Sequence, residues 1–114
     1  MAEAKIVVLY PPPADLAAFE GAYSEQHLPM AREGLVGATR LVLAKSVGAP
    51  DGSPRFHRIA EVYYDSMEAL QQSLGTQSTQ EVAKHAVSIS NGGPPVFLIC
   101  EEEVVTLEHA PATR

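Results

Sequence analysis

Four runs of this chain are apolar in a way that leaves few folds open. "KIVVLY" (5–10), "LVGATRLVLAKSV" (35–47), "FHRIAEVYY" (56–64) and "VFLIC" (96–100) are rich in β-branched and aromatic residues and read as strands. Successive side chains of a strand point to opposite faces, so a sheet with one wet face shows a polar parity. The first strand instead has Ile6, Val8 and Tyr10 on one face and Val7 and Leu9 on the other. The last sets Val96, Leu98 and Cys100 against Phe97 and Ile99. The third sets Phe56, Ala60, Val62 and Tyr64 against His57, Ile59, Glu61 and Tyr63. Both faces of the sheet are therefore largely apolar. Helical spacing occurs after the first and third strands, which gives the order β-α-β-β-α-β. That is the split βαβ, ferredoxin-like α+β pattern, an antiparallel sheet with helices on one face. The helices cover one face only. A second copy of the same sheet is the economical cover for the other, which predicts a homodimer through the open face. An apolar ligand, or overhang at the strand ends, is a weaker explanation.

The local signals agree with this order. Pro11, Pro12 and Pro13 give a stiff exit from the first strand. Asp15 can cap the helix that follows or sit in its first turn. Leu16, Phe19, Tyr23 and His27 then recur at steps of three and four, on one helix face. Pro29 disfavours helical geometry at Leu28 and is expected to end that helix. "VGAPDGSPR" reads as a flexible connection between an antiparallel pair. Asp65 with Glu68, and Ser78 with Glu81, have capping-box spacing. Met67, Leu70 and Leu74, then Val82, His85, Ala86 and Ile89, follow at helical spacing, interrupted at Gly75. "NGGPP" (91–95) is a stop.

Composition narrows the partners. The chain has 114 residues, 46% of them hydrophobic, which suits one globular domain, 1–114, with a core over about 4–105 and a tail over 106–114. Eight basic against 14 acidic residues give a formal charge of −6. With no basic stripe, nucleic acid and anionic membrane are poor partners. The chain holds no apolar run of about 20 residues to span a bilayer. The apolar start is too short for a signal peptide and meets proline at once, so the expected location is cytoplasmic. The one cysteine, Cys100, excludes an internal disulfide and reads as a small buried hydrophobe.

Chemistry-bearing motifs are sparse. No phosphate-binding glycine loop, HExxH, CxxC or G-x-S-x-G is present. The histidines lie far apart at 27, 57, 85 and 109, so neither a metal site nor a cofactor is expected. His27 shares an apolar helix face, where an imidazole needs hydrogen-bond partners. It is either a satisfied core histidine or a pocket base or donor titrating near neutral pH. Tyr23, one turn before it, either orients a ligand or packs as a core aromatic with its hydroxyl reaching out. His57 and Tyr63 share a face of the third strand and are candidate substrate contacts together with Phe19. Arg55 and Arg58 read as edge charges, and His85 as a helix-flank residue.

"VVLYPPPADLAAFEGAYSEQHLPMAREGLVG", with its Tyr10-Pro11 strand end, Phe19, Tyr23 and His27-Leu28-Pro29, resembles the EthD family. "FHRIAEVYYDSMEALQQSL" and "NGGPPVFLICEE" resemble that family's third strand, second helix and closing strand, so the likeness runs over about 4–105. The resemblance implies a ferredoxin-like fold paired into a dimeric α+β barrel, and places the family's histidine at His27. It implies association with an oxygenase system in catabolism. Similar small barrels are isomerases, cyclases and cofactor-free monooxygenases. No haem-ligand pattern accompanies it here. Three functions follow. The chain is a cofactor-independent enzyme on a hydrophobic carbonyl-bearing or phenolic small molecule, of oxidoreductase, isomerase or cyclase type, with His27 as base and Tyr23 beside it. Or it is a non-catalytic binding or accessory protein of an oxygenase system. Or it is a structural dimer with a core histidine. A cavity beside His27 with Tyr23 on its wall keeps the first two; close packing there removes them.

Overall fold

The computed structural model describes residues 3–109; residues 110–114 of the expected tail lie outside the described residues. Its four strands are β1 (Ala4–Tyr10), β2 (Arg40–Lys45), β3 (Arg58–Tyr64) and β4 (Val96–Glu101). They form one antiparallel sheet in the order β2-β3-β1-β4, the ferredoxin-like arrangement the sequence predicts. β1 is central. Ile6 faces Val62 on one side and Ile99 on the other, and Val8 faces Ala60 and Phe97. Directly opposed residues share a face, so these side chains form the inner face beneath the helices. Ala4, Ile6, Val8, Tyr10, Ala60, Val62 and Tyr64 are all buried there.

The helices are α1 (Leu16–Ala22), α2 (Leu28–Gly34), α3 (Met67–Leu74) and α4 (Gln77–Ile89). Asp15 caps α1, accepting a bond from the Ala18 amide. The other two caps fall one or two residues from the expected ones. Ser66, not Asp65, accepts from Ala69, and Thr76, not Ser78, accepts from Thr79. Short polar side chains cap almost equally well, so spacing alone does not choose between neighbours. Gly75 closes α3, as its position suggests. Among the described residues, no helix is long and apolar enough to cross a membrane.

The outer face, largely apolar by parity, divides into an apolar end and a charged end. At the Leu9 end it carries Leu9, Ile59, Ala44 and Val96, with Val7, Val42 and Leu98 beside them. At the Lys5 end it is charged. The Lys5 ammonium donates to Glu61 at 2.6 Å and to Glu102 at 3.2 Å, and the Tyr63 hydroxyl donates to Glu102 at 2.8 Å. The Arg40 guanidinium lies 3.8 Å over the Tyr63 ring. This cover explains how Tyr63 is only 4% exposed on a face that no helix touches. The Glu61 carboxylate holds the Lys5 ammonium well above its ordinary range.

Two loops close the end of the sheet where β1 stops. Asn91 bonds Asp15 twice, accepting from its amide at 3.0 Å and donating to its carbonyl at 2.9 Å. Gly92 lies so close to the Pro12 carbonyl that a β-carbon would sit 1.9 Å from its oxygen and 2.9 Å from the Pro13 α-carbon. Both obstacles are backbone, so neither can swing away. Gly92→Ala should cost about 2–3 kcal/mol of stability through this overpacking, read as a lower urea midpoint at unchanged slope.

Candidate functional site

α1 does not stop at Pro29. After Ala22 the helix widens into a single π turn, Tyr23–His27, and resumes as α2. The Leu28 amide donates to the Tyr23 carbonyl, five residues back. A proline inside a regular helix loses one such bond and its ring strikes the carbonyl four residues earlier. The extra residue in the widened turn shifts that carbonyl, and Pro29 enters in the first turn of α2, where it is tolerated. The same turn keeps Phe19, Tyr23 and His27 along one buried stripe. The Phe19 and Tyr23 rings stack at 5.5 Å, and those of Tyr23 and His27 at 6.0 Å.

His27 is 7% exposed. Both of its nitrogens have partners from other elements. Nε2 lies 3.4 Å from the Tyr10 hydroxyl at the end of β1, and Nδ1 lies 2.9 Å from Nδ1 of His85 on α4. The two imidazoles are tilted by only 12° with centroids 5.2 Å apart. With nitrogens in contact at that separation the rings lie edge to edge, nearly coplanar, so the N–H···N bond lies in the plane of both. Burial, and then the nearby His85, lower the His27 pKa from 6.5 to about 4, so the ring is neutral at pH 7. Burial likewise pushes the Tyr10 phenol well above its usual range.

Beside this pair is a cavity of about 290 Å³ between the inner sheet face and the helices. Ile6, Val8 and Val62 form its floor, and Ala31 of α2 with Val82 and Ala86 of α4 its roof. Phe97 and Ile99 of the edge strand β4 bound it and are still 42% and 55% exposed. Tyr10, Tyr23, His27 and Thr79 are the polar side chains on its wall. Thr79 is already engaged, by the Ser73 hydroxyl, the Gly34 carbonyl and the Val36 amide. The Tyr23 hydroxyl is buried and has no partner among the described residues. No group of three or more potential metal ligands occurs among the described residues.

Of the residues singled out in the sequence, His27 and Tyr23 meet at the cavity, while Phe19, His57 and Tyr63 do not line it. Phe19 packs behind Tyr23 and Tyr10. His57 is not on the outer face with Tyr63, because β3 begins one residue later. Its ring meets Phe19 edge-on at 5.8 Å, and its Nε2–H donates to Glu20 at 2.9 Å. Arg58, expected as an edge charge, grips the same Glu20 with two bonds, of 2.7 and 3.0 Å, and lies over the Tyr23 ring at 4.9 Å. That grip, aided by His57, holds the Glu20 carboxyl down at about 2. Tyr63 belongs to the charged cluster on the far side of the sheet. Sequence reasoning placed Tyr10 at a strand end and His85 on a helix flank, and gave neither a place in the site. Tyr10 ends the inward parity of β1, and His85 shares turns with buried Val82, Ala86 and Ile89. Those patterns place them on inward faces, but nothing local signals their meeting with His27.

The lowered His27 value has a consequence for stability. Above pH 6.5 His27 is neutral both folded and unfolded. As pH falls from 6.5 towards 4 the unfolded chain takes up a proton that the folded one refuses, so stability is lost across that window. The loss should be on the order of 2–3 kcal/mol. Denaturant titrations at successive pH values should show it in the wild type and not in His27→Gln. Glu20 acts in a lower window, from about 4.5 down to about 2, and should be unaffected.

Comparison with known proteins gives concordant results. The model of the EthD domain matches residues 11–89. The structure of an EthD-family protein from Bacillus halodurans is 32% identical, with a TM-score of 0.82, over 90% of this chain and 100% of its own. An uncharacterized 11.0 kDa protein from the thcB-thcC intergenic region of Rhodococcus erythropolis is 25% identical over 101 residues, 89% of this chain and 97% of its own length. Two further structures share the fold alone. A dimeric ferredoxin-like protein from Jannaschia is 16% identical, with a TM-score of 0.61 over 90% of this chain and 99% of its own. SnoaB, a cofactor-independent oxygenase from Streptomyces nogalater, is 12% identical, with a TM-score of 0.59 over 96% of this chain and 100% of its own. The domain match over most of the chain and the 32% identical relative together establish that the protein belongs to the EthD family.

Proposed function

We propose that the protein is a small cofactor-independent enzyme that moves a proton on a hydrophobic carbonyl-bearing or phenolic molecule, with His27 as general base. The observation that carries this is a neutral, buried imidazole in the wall of a largely apolar cavity. Such a ring offers a lone pair at pH 7. In the tautomer with the proton on Nδ1, that hydrogen donates to His85 and Nε2 is left with its lone pair on the Tyr10 side. A substrate carbon acid then gives its proton to Nε2, and the C–H electron pair passes into the carbonyl to form an enolate. The enolate oxygen needs a donor, and the unpartnered Tyr23 hydroxyl supplies one. Isomerisation and cyclisation both begin with this step, and a cofactor-independent oxygenase with the same fold lends the reading support. A cavity of about 290 Å³ is at the small end of ligand pockets, which run from about 300 to 1,000 Å³, so the substrate has one or two rings.

2-Tetralone, a bicyclic ketone with acidic α-hydrogens, is a suitable probe. The wild type should accelerate exchange of those hydrogens in D₂O, followed by NMR. His27→Gln should bind tetralone comparably and lose the acceleration by roughly 100-fold or more. Binding with no acceleration in the wild type would instead support a non-catalytic binding or accessory protein of an oxygenase system. Absence of binding to tetralone and to a matched naphthol would leave His27 as a core histidine.

We further propose that two copies pair through the apolar half of the outer sheet face, where Val96 and Leu98 are 40% and 44% exposed. The dimeric ferredoxin-like protein with this fold is consistent with that pairing. Sedimentation should give a dimer at micromolar concentration. Leu98→Arg should give a monomer, since it puts a charge into the apolar centre of the contact.

A further inference from the structure

Three elements run side by side along the cavity. β1 lines it from Tyr10 to Ile6, the π turn and α2 from His27 to Leu35, and α4 from Ala86 to Thr79. At the rise of a strand and of a helix these runs are about 10–14 Å long. Their ends correspond. His27 meets Tyr10 and His85 at one end, and Thr79 accepts from the Val36 amide, next to Leu35, at the other. The two ends differ in free polar groups. At the near end the Tyr23 hydroxyl is buried and unpartnered. At the far end the Tyr64, Ser73 and Thr79 hydroxyls are linked in series at 2.9 Å, and the chain of bonds ends on the Gly34 carbonyl at 3.4 Å. Among the described residues, none of those lining the cavity is a lysine, arginine, aspartate or glutamate. Arg58 lies over the Tyr23 ring but is held by Glu20. An ionised group inside would therefore leave water without gaining a counter-charge.

We propose that the cavity selects an uncharged molecule with one oxygen function at one end and an apolar body at the other, the oxygen held by Tyr23 and the body lying along α4 towards Leu74. The proposal rests on the cavity being a ligand site and needs no catalytic role for His27. A buried hydroxyl without a partner is costly, and a ligand oxygen at Tyr23 removes that cost. A second oxygen at the far end would find every hydroxyl there already engaged, and would lose its bonds to water for nothing. The same molecule is thus favoured one way round and disfavoured the other. Two residues set how long the apolar body can be. Ala83 lines the middle of the α4 run, where its small side chain leaves room. Leu74, at the end of α3, lines the far end.

Titration calorimetry at pH 7 with 4-alkylphenols, from ethyl to octyl, tests the length. Affinity for the wild type should rise about fourfold with each added methylene and level off within the series, where the chain meets the far wall. Ala83→Leu should level off at a shorter chain and Leu74→Ala at a longer one. A general loss of packing would weaken every phenol alike and would not move the two limits in opposite directions. Two ligands of matched shape test the charge: 4-butylacetophenone should bind at least tenfold more tightly than 4-butylbenzoate. Tyr23→Phe tests the orientation, weakening 4-butylacetophenone about tenfold and leaving butylbenzene unchanged. A limit that neither variant moves, benzoate binding as tight as that of the ketone, or an equal loss for butylbenzene overturns the proposal. If a cavity variant does not fold, the wild-type series and the ketone–benzoate pair decide. If no member of the series binds, the ligand reading of the cavity falls and this proposal with it. If the ligands rank as stated and tetralone exchange is not accelerated, only the base reading falls.

Discussion

β1 is hydrogen-bonded along both edges, to β3 and to β4, and the rest of the molecule is arranged around it. Its inner residues Ile6 and Val8 form the cavity floor, and Tyr10 closes the strand against His27. Chain leaving β1 is turned by three prolines, and Gly92 clamps Pro12 and Pro13 at the same end of the sheet. That clamp fixes where α1 begins, and the helix length then fixes where His27 arrives. A strand with neighbours on both edges cannot slip its register without turning its apolar set outward. The site inherits that rigidity: Tyr10 is placed by the sheet, His85 by α4, and His27 by a helix packed between them.

The electrostatics of the two sides of the sheet are opposite in kind. On the inner side, burial keeps the His27 ring and the phenols uncharged, and the charges that act on Tyr23, Arg58 and Glu20, neutralise each other behind it. On the outer side, Lys5 pairs with Glu61 and Glu102, and Arg40 pairs with Glu3 and lies over Tyr63, all of these charges partly open to water. A neutral imidazole in a largely apolar pocket is sensitive to any unpaired charge nearby, because such fields are weakly screened there. The Glu20–Arg58 pair therefore matters to the site although neither side chain reaches the cavity.

Much of this was legible in the sequence, and what was not has particular physical reasons. Strand parity gave the inner residues of β1, β3 and β4 because period-two alternation is a strict geometric property. Helical spacing likewise gave the stripe of Phe19, Tyr23 and His27. Pro29 misleads because its usual effect assumes four-residue hydrogen bonding, and one inserted residue removes that assumption. His57 misleads because parity can be counted only inside a strand, and β3 starts just after it. Lys5 and Tyr63 hide the charged outer patch, since each looks isolated until β1, β2 and β3 are set side by side. Tyr10 and His85 are the hardest, lying 17 and 58 residues from His27. No periodic signal reports which residues meet across packed elements.

β4 joins the two faces. Phe97 and Ile99 bound the cavity, while Val96 and Leu98 point outward on the same strand, and among the described residues β4 is hydrogen-bonded on one edge only, to β1. A strand held along a single edge is freer to shift than a central one, and here its inward residues help to set the shape of the cavity. Covering Val96 and Leu98 with a second sheet would hold β4 from its outer side and so steady Phe97 and Ile99 on its inner side. The proposed pairing of two copies and the shape of the proposed site are thus coupled through one strand. The apolar outer parity, which first suggested a partner, is the reverse side of the residues that bound the pocket.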